Sequence, residues 1–305
     1  MQDPRDYTQQ INVVIDHINT HLDQNLDVKS LAGLTHLSPF HFHRIFSDAM
    51  GEPLAKYVMR KRLELAAIYL RHDVYKPIAI IAADTGFHSS NVFCRNFKRH
   101  FGMTAVEYRR KMEQQESKNH PSEHNNVPYQ RSYFRYFYPR KSFNTGGKSM
   151  QCDFELKHMD EVHMVYCRHY GAYTQMQRAF EKLMQWAYPR GLVTAPNFRL
   201  AAIYHDNPQV TPVDKLISDA CLIVERPVKT DGEIGTFTMP AGQYAVGQFE
   251  ISWEEFQTAW SCMFQLIEEH GCQCCGLAYE VYLNNSEEHP QKKWLIDICI
   301  PVEVK

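Results

Sequence analysis

A duplication constrains this 305-residue chain more than any other feature. Shifting the first 112 residues by 51 superposes Ala32 on Ala83, Ser38 on Ser89, Phe42 on Phe93, Arg44 on Arg95, Phe46 on Phe97, Gly51 on Gly102 and Tyr57 on Tyr108. Seven matches in order at one offset mark a duplicated unit. Each unit reads as a short helix, a tight turn, a second helix, a glycine stop and a helix bearing the tyrosine. Ile11, Val14, Ile15, Ile18 and Leu22 recur at helical spacing, as do Leu63, Ala66, Ala67 and Leu70. Asp27 is a suitable N-cap ahead of Leu31 and Ala32, and Pro77 suits a first helical position before Ile78, Ile81 and Ala82. The front of the chain is therefore expected to be all-α, a double helix-turn-helix.

The back of the chain also reads as two copies. Residues 162–166 form a strand, 174–188 a helix stopped at Gly191, and 200–204 and 220–224 two further strands. Residues 244–249, 253–269, 277–283 and 294–300 repeat that order, with Gly271 as the helix stop. The helices match at an offset of 80 (Phe180 with Trp260, Leu183 with Met263, Gly191 with Gly271). The later strands match at 78 (Tyr204 with Tyr282, Asp219 with Asp297, Cys221 with Cys299). Two strand-helix-strand-strand halves predict an α+β domain on an antiparallel sheet. Between the duplications, residues 113–126 are polar and aperiodic and read as a flexible linker. Residues 129–143 interleave basic and aromatic side chains, as a strand or arm packed on a domain, or as a nucleic-acid-stacking tail. The expected organisation is a double helix-turn-helix domain over 1–112, a polar then basic-aromatic linker over 113–150, and the α+β domain over 151–305.

Charge divides at the same places. The net charge of −2 combines +4 over 1–112, +3 over 113–150 and −9 over 151–305. Near-neutrality excludes a uniformly basic packaging protein, and a basic front with an acidic back points to two different partners. The longest apolar runs, 65–70 and 78–83, have six residues, whereas a membrane span needs about 20, so no membrane partner is expected. The start has no apolar signal core and the nine cysteines are irregularly spaced, so the expected location is the cytoplasm, with reduced thiols. Cys272, Cys274 and Cys275, after His270, lack a second ligand pair at zinc-site spacing and are not read as a metal site.

In the helix over 38–50, Phe42, Ile45, Phe46 and Ala49 share one stripe, which leaves Pro39, Phe40, His43, Arg44 and Ser47 facing outward. The corresponding outward set in the second unit is Ser90, Asn91, Cys94, Arg95 and Lys98. Arg pairs with guanine, Asn pairs with adenine, and a helix fits the major groove. For either helix alone, an Arg that merely snorkels on a solvated face is an equal alternative. Two copies of the same outward pattern favour DNA. Lys98, Arg99, Arg60, Lys61 and Arg62 are candidates for phosphate contacts.

Residues 81–110, IAADTGFHSSNVFCRNFKRHFGMTAVEYRR, resemble the signature of the AraC/XylS family of bacterial transcription regulators, and residues 30–66 resemble its upstream repeat. The resemblance implies a sequence-specific transcription regulator. Its two helix-turn-helix units would enter successive major grooves of double-stranded DNA, roughly 34 Å apart. Ala105 departs from the family's usual Pro at the start of the last helix. Phe40-His41-Phe42-His43 is less polar than many first recognition helices and suits van der Waals readout, as of thymine methyls.

In the back half, strand alternation puts Glu280 on one face with Ala278 and Tyr282, while its counterpart in the other copy is Ala202. A carboxylate in such an apolar run is solvated at an edge, paired, or facing a ligand pocket. A cleft between the halves would be aromatic, with Tyr166, Tyr170, Tyr173, Trp186, Trp253, Trp260, Tyr279 and Tyr282 on or beside the repeated elements, although any one of them taken singly reads more readily as core. Residues 163–173, 204–208, 240–249 and 279–302 resemble the GyrI-like effector-binding domain, which accompanies AraC-type units in Rob-like regulators. That resemblance implies a pocket for a small, bulky, lipophilic and cationic effector. Glu280 would be its acid, lined by Tyr282, Tyr166, Tyr170, Trp253 and Trp260 through stacking, cation–π contact and charge pairing. Effector binding would shift how the front domain engages promoter DNA or RNA polymerase. Two other readings stand beside this one. Some GyrI-like domains resemble small hydrolases, in which Glu280 would be a general base with Tyr282 or Tyr166 as acid or orienter. Alternatively, the acidic domain sequesters another protein. No nucleophile–base–orienter signature is present, so no catalytic residue, metal or cofactor is expected and the chain reads as a non-enzyme.

Overall fold

The computed structural model describes residues 7–72, 75–119, 150–193 and 198–304. The chain divides into two compact units. The basic-aromatic stretch 129–143 lies outside the described residues, as do 120–126 of the expected linker.

The first unit contains α1 (Thr8–Thr20), α2 (Val28–Leu34), α3 (Pro39–Met50), α4 (Leu54–His72), α5 (Ile78–Asp84), α6 (Ser90–Phe101) and α7 (Ala105–Asn119). Ile11, Val14, Ile15 and Ile18 make the buried face of α1, as their spacing requires. Asp27 caps α2 by accepting the Ser30 amide at 2.8 Å. Pro77 sits one place earlier than expected, as the N-cap of α5. Helices α3 and α6, and likewise α4 and α7, start 51 residues apart, and their ring contacts repeat. Phe46 meets Tyr57 edge-on at 5.4 Å and 81°, and Phe97 meets Tyr108 at 5.5 Å and 81°.

Three expectations need correction here. The leading helices align at an offset of 50: Leu31 and Ala32 are buried like Ile81 and Ala82, whereas Ala83 is exposed. The cause is one extra residue in the turn between α5 and α6 compared with that between α2 and α3. In α3 the buried stripe is Phe42, Phe46 and Met50; Ile45 is half-buried and Ala49 exposed, because the face runs along the i, i+4 row. Finally, α7 continues to Asn119 through residues 113–119, which were expected to open the linker. Glu, Gln and Lys are good helix formers even where no apolar stripe marks the periodicity.

The second unit is an eight-stranded antiparallel path, β1-β6-β9-β8-β3-β4-β2-β5, with β7 paired to β9. Its strands are β1 (Asp153–Met159), β2 (Val162–Tyr170), β3 (Arg199–Tyr204), β4 (Ile217–Val224), β5 (Ile234–Met239), β6 (Gly242–Ile251), β7 (Cys272–Cys274), β8 (Tyr279–Tyr282) and β9 (Trp294–Val304). Helix α8 (Gln177–Ala187) follows β2, and α9 (Phe256–Glu269) follows β6. The two expected halves are β2-α8-β3-β4 and β6-α9-β8-β9, joined where β3 pairs with β8. Strands β1, β5 and β7 were not expected from sequence.

Two-residue connections, Asp160-Glu161 and Pro240-Ala241, join strands from opposite ends of the path. Three peptide links span at most about 11 Å, so the sheet must bend back on itself at that corner. Its inner side encloses Met164, Tyr166, Met239, Tyr244, Tyr279 and Cys299. The opposite side, with Val165, Cys167, Ala202, Ala220 and Leu222, packs with Ala179 and Leu183 of α8. Helix α9 lies over β6 where Gly247 leaves room, since a Cβ there would run into the Met263 sulfur.

Candidate functional site

Helices α3 and α6 carry the expected nucleic-acid faces. Pro39, Phe40, His43 and Arg44 are exposed, with Phe40 at 84 %. Ser90, Asn91, Cys94, Arg95 and Lys98 are exposed in the same positions of α6. Ser47 departs from the pattern: it is half-buried, and its hydroxyl is buried with no hydrogen-bond partner among the described residues. It packs toward the core side of α3 and does not present an oxygen to a groove.

The basic run in α4 is largely interior. Arg60 and Lys61 are buried, and Arg62 donates from Nε to the Leu22 carbonyl at 2.9 Å and from Nη2 to the Gln24 carbonyl at 2.6 Å. These residues therefore do not serve as the phosphate contacts that the sequence suggested. Lys98 and Arg99 are exposed.

In the second unit the seam between the halves carries the distinctive chemistry. Ala202 of β3 lies directly opposite Glu280 of β8. These are the two positions matched by the offset of 78, so the local twofold relation between the halves passes between them. Glu280 is fully buried on the helix-covered side of the sheet. The Tyr204 hydroxyl donates to its Oε1 at 2.5 Å and the Tyr282 hydroxyl donates to the same oxygen at 2.6 Å. Trp260 Nε1 donates to Oε2 at 3.0 Å. Tyr204 and Tyr282 are themselves counterparts, so a matched pair of phenols grips one carboxylate. A second matched pair surrounds them: Trp260 packs edge-on to Tyr204 at 6.5 Å, and Phe180 edge-on to Tyr282 at 6.0 Å. Tyr173 adds a ring 4.8 Å from Tyr204.

Burial pushes the Glu280 carboxyl above its ordinary range, and the bonds from Tyr204, Tyr282 and Trp260 oppose that rise without cancelling it. Among the described residues its hydrogen-bond partners are all neutral side chains. The buried acid of the inner side is arranged differently. Asp219 receives Arg168 through Nε and Nη2, each at 2.8 Å, and lies 2.6 Å from His205 Nε2. Burial would raise the Asp219 carboxyl, but Arg168 and His205 outweigh it and hold it well below the usual carboxylate range.

Of the expected pocket residues, Glu280, Tyr282 and Trp260 come together. Tyr166 does not: it alternates with Val165 onto the inner side, where it packs on Phe237 at 5.5 Å and under Arg168 at 5.2 Å. Tyr170, 41 % exposed, follows the same alternation at the end of β2. Trp253 is 53 % exposed and packs on Phe256 with the rings tilted at 52°, in a capped turn closed by Ser252 and Glu255. The open cleft expected between the halves is a continuous hydrogen-bonded seam. Tyr173, one of the aromatics expected at the cleft, joins this cluster, as do Tyr204 and Phe180, which were not singled out although the offsets had already paired them with Tyr282 and Trp260.

Among the described residues no helix is long and apolar enough to cross a membrane. The helix-turn-helix domain family matches residues 31–111, and the GyrI-like small molecule binding domain family matches residues 153–303. The chain is 30 % identical over 158 residues to DNA gyrase inhibitor 1 of Dickeya dadantii, covering 50 % of this chain and 99 % of that protein. It is 34 % identical over 106 residues to the regulatory protein SoxS of Salmonella typhimurium, covering 35 % and 98 %. It is 37 % identical over 93 residues to the transcriptional regulator Rob of the same organism, covering 30 % of this chain and 32 % of Rob. With a duplicated helix-turn-helix unit in front and a duplicated α+β sheet behind, the chain belongs to the AraC-type DNA-binding transcription regulators, in the Rob-like arrangement with a GyrI-like small molecule binding domain.

Proposed function

We propose that this regulator senses a bulky lipophilic cation through Glu280 and transmits its binding to a DNA-binding domain that reads two successive major grooves. The observation that carries the effector class is a fully buried carboxylate whose hydrogen-bond donors among the described residues are all aromatic. A delocalised cation suits that position. It would pair with the charge, stack against Tyr204, Tyr282, Trp260 and Phe180, and bring little desolvation cost of its own. Entry runs past Tyr204 and Tyr282, both half-buried, whose hydroxyls would leave Glu280 as the cation arrives. On the DNA side, Pro39, Phe40, His43 and Arg44 of α3 and Ser90, Asn91, Cys94, Arg95 and Lys98 of α6 are the proposed contacts, with the functional boundaries near residues 112 and 150. RNA polymerase is the proposed recipient of the signal at the promoter.

Isothermal titration of the full chain with tetraphenylphosphonium tests the effector class. Glu280→Gln keeps the shape and the hydrogen-bond acceptor but removes the charge, and should weaken binding by tenfold or more, about 1.4 kcal/mol. Equal affinities for both proteins would refute a charge-based site. A second reading has one observation behind it: the relative named DNA gyrase inhibitor 1 matches this chain over 158 residues, about the length of its acidic half. If the domain acts by sequestering a protein, the full chain will inhibit gyrase supercoiling irrespective of the cation.

A further inference from the structure

Helices α3 and α6 belong to different helix-turn-helix units. Whatever fixes their relative distance and twist decides which half-site spacing the protein accepts. Helix α4 is the element shared by both units, and a buried ion network lies along it. Arg60, 6 % exposed, donates from Nε and Nη2 to Glu52 Oε1 at 2.9 and 2.8 Å. From Nη1 it donates to Glu64 Oε1 and Oε2 at 3.1 and 3.3 Å. Both carboxylates are buried.

Glu52 stands one residue beyond Gly51, the left-handed residue that closes α3 at φ 63°. The Arg60 guanidinium also sits 5.0 Å from the Tyr57 ring centre, and Tyr57 packs edge-on against Phe46 of α3. The network thus grips α3 both at its end and along its buried stripe. Helix α4 also packs against α5, α6 and α7, the helices of the second unit, and His100 stands in the last turn of α6. Although its ring keeps contact with solvent, the His100 imidazole is lowered by partial burial and by the Arg60 charge, with Glu52 opposing.

Stability alone does not account for this arrangement. A buried Arg with two carboxylates is often no more stabilising than apolar side chains of the same volume. What it adds is direction, because the planar guanidinium fork accepts partners in one geometry. We propose that Arg60, with Glu52 and Glu64, is a positioning group that fixes the two recognition helices relative to each other and so sets the half-site spacing read on DNA. This rests on the reading that both α3 and α6 enter DNA. Adding one base pair between half-sites turns the second groove by about 35° and moves it by about 3.4 Å, which a rigid pair of helices cannot follow.

The test begins with duplexes selected from a random pool by the full-length protein. Affinities are then measured on the selected site, on versions with one base pair added or removed between the halves, and on versions with single-base changes inside each half. Two variants are compared with the unaltered protein: Glu52→Gln, and the apolar triple Glu52→Leu, Arg60→Leu, Glu64→Leu, checked for folding by thermal melting. The unaltered protein should lose roughly tenfold or more per spacing change, on the scale of a mismatched base. The triple variant should lose no more than about threefold while keeping its penalties for base changes, and Glu52→Gln should fall between. Unchanged spacing discrimination in the folded variants overturns the proposal, and Glu52→Gln decides alone if the triple does not fold. Equal collapse of spacing and base discrimination also overturns it, because the network would then only hold the domain together. If the unaltered protein selects a single half-site, the two-groove reading fails instead.

Discussion

Glu280, the proposed effector contact, is where ligand binding and stability would pull in opposite directions. Asp219, also fully buried, is paired with the Arg168 guanidinium and lies 2.6 Å from His205 Nε2. Glu280 is fully buried and its donors among the described residues are neutral, so burial disfavours its charged form in the folded protein. Its carboxyl therefore titrates higher in the folded chain than in the unfolded one. Folding takes up a proton between the two values, and stability falls as pH rises through that window, then levels off above it. Glu280→Gln removes this loss while keeping an acceptor for the phenols. Its melting temperature at pH 7 should exceed that of the unaltered protein, and the gap should narrow as pH falls toward the ordinary carboxylate range. A melting temperature equal or lower at pH 7, with a gap indifferent to pH, would mean that the buried charge is balanced by something other than these three donors. Greater stability with weaker cation binding is the pairing expected of a site kept for binding.

At the scale of elements, the duplicated units show how a turn can be conserved in shape but not in sequence. His36 and Gly86, 50 residues apart, hold the left-handed position after α2 and α5, at φ 55° and 80°. His36 tolerates it in an exposed turn. Gly86 cannot be replaced in kind, because a Cβ would meet the Leu22 carbonyl and the Arg62 guanidinium. Gly86→Ala should cost at least about 2 kcal/mol in urea unfolding, from strain together with displacement of the Arg62 tie. A cost below about 0.5 kcal/mol would show that this corner relaxes freely. The reading helices themselves carry a separable prediction. Arg44→Ala and Arg95→Ala should each weaken operator binding by about 1–3 kcal/mol and relax base preference in one half-site only. Loss spread over both half-sites would show the Arg residues to be phosphate contacts.

The exposed faces of α3 and α6 were legible in sequence because helical periodicity fixes them locally, and an offset of 51 displayed the pattern twice. The interior basic run was not legible: Arg60-Lys61-Arg62 reads like a phosphate clamp until Glu52 and Glu64 are known to converge on it. The proposed effector site lay between these extremes. Pairing Tyr204 with Tyr282 and Ala202 with Glu280 already contained the seam, but the register of β3 on β8 was needed to bring those four positions together. Tyr166 failed for the same reason. Alternation assigns a residue to a face only once the pairing partner of its strand is known. Strands β1 and β5 escaped notice because each lies at an end of the hydrogen-bonded path and belongs to neither copy of the repeat.

For the whole molecule, a helix-turn-helix front of net +4 and a GyrI-like back of net −9 put two different binding domains in one chain. If they form a switch, they must obey a thermodynamic identity that does not depend on how the units are arranged. A cation that changes DNA affinity by some factor must have its own affinity changed by DNA by the same factor. Couplings of this kind are typically about 5- to 150-fold. The expected outcome is that tetraphenylphosphonium at saturation shifts the dissociation constant for a selected duplex by a factor in that range. Calorimetric titration of the preformed DNA complex should then show the cation affinity shifted by the same factor, with neither shift in Glu280→Gln. Binding of both ligands without mutual effect would leave a protein that captures cations and binds DNA, but is not a sensor. Coupling that survives in Glu280→Gln would place the sensing site elsewhere in the domain. Only equal factors in both directions, lost together on removal of one buried charge, join the seam at Glu280 to the reading helices as one device.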